Sequence, residues 1–171
     1  MIRYHDEEWG VPVHDDGLHF EYIVLDSFQA GLSWSTILNK RENFRKSFDG
    51  FDPVKIARYK EAKINKLLAN EGIVRNRLKV LATIANAKSF LAIQKEFKTF
   101  DKYIWTFTGG KTIKNNWKDA KQIPAHSNES DAMSKDLISR GFKFVGTTIC
   151  YAYMQAAGMV DDHLKGCLKD R

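Results

Sequence analysis

The chain has 171 residues, 43% of them hydrophobic, with 27 lysines and arginines against 21 aspartates and glutamates, a net charge of +6. That is the length of one domain, 1–171, able to bury a sizeable core. No apolar run approaches the ~20 residues needed to span a membrane, and two cysteines, Cys150 and Cys167, argue against a disulfide scaffold.

The front, Met1 to Glu8, is charged and lacks an apolar segment, so no signal peptide and a reducing cytoplasm are expected. The basic balance favours a polyanionic partner, nucleic acid ahead of membrane, because no basic amphipathic tail is present. Mild basicity is also common in domains with no such partner.

In chain order, Trp9-Gly10-Val11-Pro12 breaks any early helix, so the opening reads as a loop. From Asp16 to Ala30, Leu18, Tyr22, Leu25 and Gln29 recur at helical steps, with Phe20, Ile23, Val24 and Phe28 widening the apolar face. The spacing predicts a buried helix ended by Gly31. Ser33 caps a helix from Trp34 to Phe48, whose outer face carries Lys40, Arg41, Arg45 and Lys46. Asp52-Pro53 starts a short helix to Tyr59. A further helix ends at Asn70-Glu71-Gly72, and a tight turn, Ile73 to Arg77, leads into a long one with Leu78, Leu81, Ile84, Ala85 and Leu91 at helical spacing. Phe100 to Phe107 and Ser130 to Ser139 read as helices, and the pattern is weak between Thr99 and Pro124. No segment alternates with period two, so the fold class is all-α.

Four constellations could carry chemistry. Gly141-Phe142-Lys143-Phe144-Val145-Gly146 leads into Thr147-Thr148 and an apolar helix, a glycine-bounded turn whose N–H groups and lysine suit a phosphate; most such turns are plain connections. His163 and Cys167 stand four apart, on one face if helical, and could share a zinc ion with His5 if the chain ends meet. Tyr4, Trp9 and Trp34 with Asp26 would suit a flat cationic ring, by stacking and by accepting its N–H; they could equally be core aromatics and a helix carboxylate. Gly31-Leu32 could wedge into a base stack, although an interhelix turn with Leu32 pointing inward is the commoner case. His14, His19 and His126 read as surface or loop residues, and Cys150 as a buried small hydrophobe.

Taken together, Tyr4-His5-Asp6-Glu7-Glu8-Trp9-Gly10-Val11-Pro12, Gln29-Ala30-Gly31-Leu32-Ser33-Trp34, Lys40 to Arg45, Phe51-Asp52-Pro53, Gly72 to Arg77 and Arg140 to Thr148 resemble the DNA-3-methyladenine glycosylase I family. The resemblance runs from Tyr4 to Cys167. It implies a helix-hairpin-helix DNA glycosylase fold, a structural zinc tying the termini together, and hydrolytic removal of 3-methyladenine from alkylated double-stranded DNA by a monomer. By position it puts base binding on Tyr4, Trp9, Trp34 and Asp26, with Asp26 the catalytic carboxyl. The zinc ligands fall on His5, His163 and Cys167, the wedge on Gly31 and Leu32, and the backbone grip on Lys143, Gly146, Thr147 and Thr148.

Two departures stand out. The family's carboxylate is usually glutamate; Asp26 is one methylene shorter, which moves the acceptor by about 1.5 Å, and a displacement of about 1 Å can cost roughly a hundredfold in rate. Family members also begin about a dozen residues earlier, with a cysteine that completes the zinc site. A shortened front and weak zinc binding are therefore expected. These departures keep open a second reading, a non-catalytic DNA-binding module with a degenerate pocket. Asp161, where related glycosylases place an aspartate that stabilises the sugar cation, is a further candidate, its plainer role being a cap for the segment that carries His163.

Overall fold

The computed structural model describes residues 2–167. Its helices are α1 (Ile2–Glu7), α2 (Asp16–Gln29), α3 (Trp34–Ser47), α4 (Pro53–Ile56), α5 (Glu61–Leu68), α6 (Arg77–Phe97), α7 (Phe100–Ile104), α8 (Asn128–Ser139) and α9 (Thr147–Ala156). The only strands among the described residues are β1 (Ile113–Lys114) and β2 (Val160–Asp161), a parallel pair in the register Ile113 to Val160. The fold is all-α.

α2 is the axis. Every residue from His19 to Phe28 is buried, and α3, α6, α7 and α9 pack around it. An all-round apolar helix has no stable place except inside a bundle. Its ends are satisfied by side chains: Asp15 accepts from the Leu18 amide, and Lys79 donates to the carbonyls of Phe28 (2.7 Å) and Ala30 (2.6 Å). Asp16, in its first turn, accepts from the amides of Phe100 and Asp101 and from Gln94, which ties α6 and α7 to it. Edge-on and stacked rings of Phe20, Phe28, Phe44, Phe48, Phe90 and Phe100 fill the core.

The front of the chain lies against its end. Gly10 N–H donates to Gln155 O and Val13 N–H to Ala157 O. Gly158, at φ +65, lies so close that a Cβ there would stand 2.1 Å from the Val11 carbonyl carbon. Only glycine fits both that backbone conformation and that approach.

Several expectations change. The opening is a helix, α1, because burial of Tyr4 and the bonds from Arg41 and Tyr22 to Glu8 hold it before Gly10 breaks it. The helix after Asp52 stops at Ile56 rather than Tyr59. Leu78 and Leu81 point outward, Leu78 68% exposed, since α6 turns Val80, Ala87 and Phe90 to the core. His19 is a core residue: Tyr153 OH donates to its Nδ1 (2.7 Å) and its Nε2 donates to Asp101 (3.1 Å). No helix among the described residues is long and apolar enough to cross a membrane.

Burial, partly offset by Asp101, lowers the His19 pKa below its usual 6.5. The unfolded chain then binds a proton that the folded one does not, so His19's contribution is fully present above about pH 6.5 and is lost as pH falls below it. Thermal melting between pH 7 and pH 5 should show this fall, and His19→Leu should flatten it.

Candidate active site

A cavity of about 580 Å³ opens between α1, the start of α3 and the C-terminal segment. Tyr4, His5, Trp9, Trp34, Ala120, Ile123, Asp162, Leu164, Lys165, Gly166 and Cys167 line it. Four separate stretches of chain build this wall, the last being the C-terminal segment from Asp162 to Cys167. α1 brings Tyr4 and His5. Ser33, which accepts from the Thr36 amide, starts α3 at Trp34. The irregular excursion after β1 supplies Ala120 and Ile123. The Tyr4 and Trp34 rings lie 5.3 Å apart, and Trp9 stacks on His5. A larger cleft, about 690 Å³, lies on the other side of α1, but Glu8, Glu21, Arg41 and Arg45 in and around it already pair with one another.

Four buried side-chain polar atoms among the described residues have no hydrogen-bond partner: Asp26 Oδ2, Gln29 Oε1, Trp34 Nε1 and His163 Nε2. Buried polar atoms are nearly always paired, and exceptions gather where ligands bind. Asp26 is 2% exposed and does not line the large cavity. It faces a second one, about 10 Å³, with Ile23, Cys150 and Tyr153. Burial alone pushes its carboxyl well above the usual carboxylate range. It still reaches Tyr4 electrically, adding to the burial that raises the phenol. Asp26 is therefore a recessed acid, off the wall that carries Tyr4 and Trp34.

His5, His163 and Cys167 do meet. Cys167 Sγ lies 3.8 Å from His5 Nε2, and the His5 and His163 rings are 4.9 Å apart, edge-on. They meet by a different route from the one the spacing suggested: residues 162–167 are not helical, and the turn at Lys165-Gly166 folds Cys167 back. Gly10 lets His163 approach, a Cβ there falling 3.0 Å from His163 Cε1. Asp161 Oδ1 accepts from His163 Nδ1 (2.6 Å) and from its amide (3.2 Å), which leaves the Nε2 lone pair free. Burial raises the Asp161 pKa, and the bonds to His163 outweigh it, so the net shift is down. Asp161 therefore orients His163 and is absent from the cavity wall. Among the described residues no group of three or more His, Cys, Asp or Glu stands ready-made for a metal.

The hairpin between α8 and α9 is held from below. Asn86 receives the Lys143 amide (2.7 Å) and donates to its carbonyl (3.1 Å), and Ser134 donates to Val145 O. Lys143, Gly146 and Thr148 are exposed, and no side chain caps the start of α9. Thr147 is already engaged, by Asp131 from α8 and by Ser130. Gly31, at φ +79, turns the α2–α3 loop outward, and Leu32 is 41% exposed, against the inward expectation.

The family model for methyladenine glycosylases matches residues 1–170. The chain belongs to that family. It is 47% identical over 166 residues to DNA-3-methyladenine glycosylase 1 of Escherichia coli (strain K12), covering 97% of this chain and 89% of that protein. A crystal structure of a 3-methyladenine DNA glycosylase I superposes with a TM-score of 0.95 at 48% identity, over 98% of this chain and 92% of that one. A variant of such an enzyme in complex with 3-methyladenine gives 0.96 at 34% identity, over 99% and 91%. The residues that reading the sequence did not single out are Asp162, which stands between Asp161 and His163, and Asn115 and Trp117, which lie in the segment with no periodicity.

Burial, with a smaller push from Asp26, raises the Cys150 thiol to about 12. In native protein treated with chelator, one thiol of two should react with a disulfide reagent at neutral pH and the second only on unfolding. Two fast thiols would contradict the buried placement of Cys150.

Proposed function

We propose that this chain excises 3-methyladenine from alkylated double-stranded DNA, flipping the base out of the stack and hydrolysing its N-glycosidic bond. The observation that carries the reading is the cavity: two aromatic faces, Tyr4 and Trp34, with an unpartnered Trp34 N–H buried beside them. Flat faces and an unpaired donor are what a flipped purine would satisfy. Membership of the family supports it, as does the relative that holds 3-methyladenine.

A base alkylated at N3 is positively charged, so its bond to the sugar is already weak and it pairs poorly, which lowers the cost of extrusion. The protein then needs to stack the base, exclude competing water and leave one water at the sugar carbon. Trp34 stacks on the ring, Tyr4, tilted 55° to Trp34, meets it from the side, Trp9 closes the wall, and Asp26 supplies a buried polar group near Tyr4. We read the α8–α9 hairpin as the helix-hairpin-helix element, with Lys143 and the amides of Gly146, Thr147 and Thr148 on a backbone phosphate. Gly31 and Leu32 fill the gap left in the duplex. One chain supplies pocket, wedge and grip, so we take the working unit to be a monomer.

Trp34→Ala should lower release of free 3-methyladenine from methylated duplex by about a hundredfold or more, and Asp26→Ala should lower it sharply. The recessed position of Asp26 favours the second reading, a DNA-binding module without chemistry. That reading requires salt-dependent duplex binding with no base release from the wild-type chain, and either outcome decides between the two.

We also propose that His5, His163 and Cys167 hold a zinc ion. The donor set fits: a thiol, a His163 Nε2 with no partner, and a carboxylate on its Nδ1. In a tetrahedral site, nitrogen and sulfur ligands stand roughly 3.5 Å apart, close to the 3.8 Å seen between His5 and Cys167. Bound there, the metal would fasten α1 to the C-terminal segment. Added zinc should raise the melting temperature at one ion per chain, and His163→Ala should remove that increment. A melting curve indifferent to zinc would sink the proposal.

A further inference from the structure

We infer that the apolar groove between α6 and the α8–α9 hairpin, walled by Leu78, Leu81 and Phe144, is a further DNA-contact surface: it packs against the deoxyribose faces of the strand whose phosphate the hairpin holds. The inference rests on the DNA-binding reading proposed above and adds to it a contact that carries no charge.

The groove measures about 460 Å³ and is lined by Leu78, Leu81, Ala82, Ala85, Lys143 and Phe144. Leu78 is 68% exposed, Leu81 39% and Phe144 37%. Single exposed hydrophobic residues are ordinary; several gathered in one groove mark a place where something binds. Leu78, Leu81 and Ala85 fall at steps of three and four, on one face of α6. Phe144 joins them in a conformation, φ +55, that an aromatic residue rarely adopts. It persists because Asn86 holds the Lys143 amide and carbonyl on one side and Ser134 holds the Val145 carbonyl on the other. Strain kept in place to turn a ring outward points to a contact for that ring. The groove adjoins the grip at Lys143. It also reaches the support of the wedge loop: Lys79, which binds the carbonyls of Phe28 and Ala30, sets its ammonium 5.9 Å from the centre of the Phe144 ring.

Charge names the occupant. Residues 72–95 and 140–160, which include both walls, contain seven lysines and arginines and no aspartate or glutamate, in a chain with 21 acidic residues. Arg75, Arg77 and Arg140 pair with carboxylates from outside these stretches. Lys143 on the groove and Lys88, one turn beyond Ala85, are exposed. An apolar strip flanked by cations suits a ligand that alternates anionic and apolar groups. A DNA backbone does so, each phosphate being followed by the C–H face of a sugar. A second copy of the chain docked here about a twofold axis would set each lysine against a cationic wall. Phosphate contacts at the hairpin fix the strand, and the groove then gains affinity from apolar area removed from water.

Leu78→Gln and Phe144→Asn remove the apolar surface without touching the clamps, since glutamine suits a helix surface and asparagine tolerates positive φ. The probe is a short duplex carrying one stable abasic-site analogue, titrated with the full chain at several salt concentrations. Each variant should bind about fivefold more weakly than wild type. The slope of log affinity against log salt should stay as in wild type, because an apolar contact releases no counterion. Lys143→Gln should instead lower that slope by roughly 0.9. Leu78→Gln should melt as wild type does, its side chain being exposed, so it carries the test even if Phe144→Asn fails to fold. Three results would each overturn the inference: wild-type DNA affinity in the folded variants, a slope that falls as it does in Lys143→Gln, or self-association of wild type that the variants abolish while DNA affinity holds. A wild-type chain that binds no duplex would sink the DNA reading and this contact with it, whereas wild-type binding matched by both variants sinks the contact alone.

Discussion

The contact on which the site depends is the closure of the chain's front onto its end. Gly10 and Val13 bond to the carbonyls of Gln155 and Ala157, and Gly158 allows the two backbones to approach to a distance no side chain would permit. That closure sets α1 beside the segment after α9. Tyr4, His5 and Trp9 then face Asp162, Leu164 and Cys167 across a single cavity, and His5 meets His163 edge-on. Without it the aromatic faces of the front would have no opposite wall, and the histidines would be more than 150 residues apart in every useful sense.

Around that closure the carboxyls are sorted by their surroundings. Asp26 has burial and no donor on Oδ2, and is pushed toward the neutral acid. Asp161 is given to His163 and stays ionised. Asp162 receives four neutral donors. Three residues of one chemistry therefore have three roles, decided by what reaches each oxygen.

The surfaces read as contacting DNA are rigid for a related reason. The wedge loop follows directly from the end of α2, where Lys79 binds the last carbonyls. The hairpin is pinned by Asn86 and Ser134. Both sets of clamps come from inside the bundle, so tip and grip are carried by the same buried helices that frame the pocket. Phe144, held at φ +55 beside Lys143, shows that the hairpin's shape is imposed by those clamps rather than by local preference.

Much of the fold was legible from helical spacing, caps and glycines: α2, α3, the turn into α6 and the α8–α9 pair fall where the apolar period and Ser33, Asp52 and Gly146 put them. The family motifs named the aromatic residues, the wedge and the His5, His163 and Cys167 set. What spacing misjudged was orientation. Leu78 and Leu81 keep a helical period yet face outward, and His19 lies in the core, because a period states that residues share a face and only packing states which face is covered. α1 was invisible for the same reason: six residues have too little propensity to declare a helix, and tertiary contacts supply the rest. By itself the sequence determined most of the longer helices, the family and the inventory of reactive groups, since these depend on local chemistry. Only the tertiary structure decided that Asp26 is recessed while Asp162 stands on the wall, because burial and hydrogen-bond partners come from residues far apart in the chain.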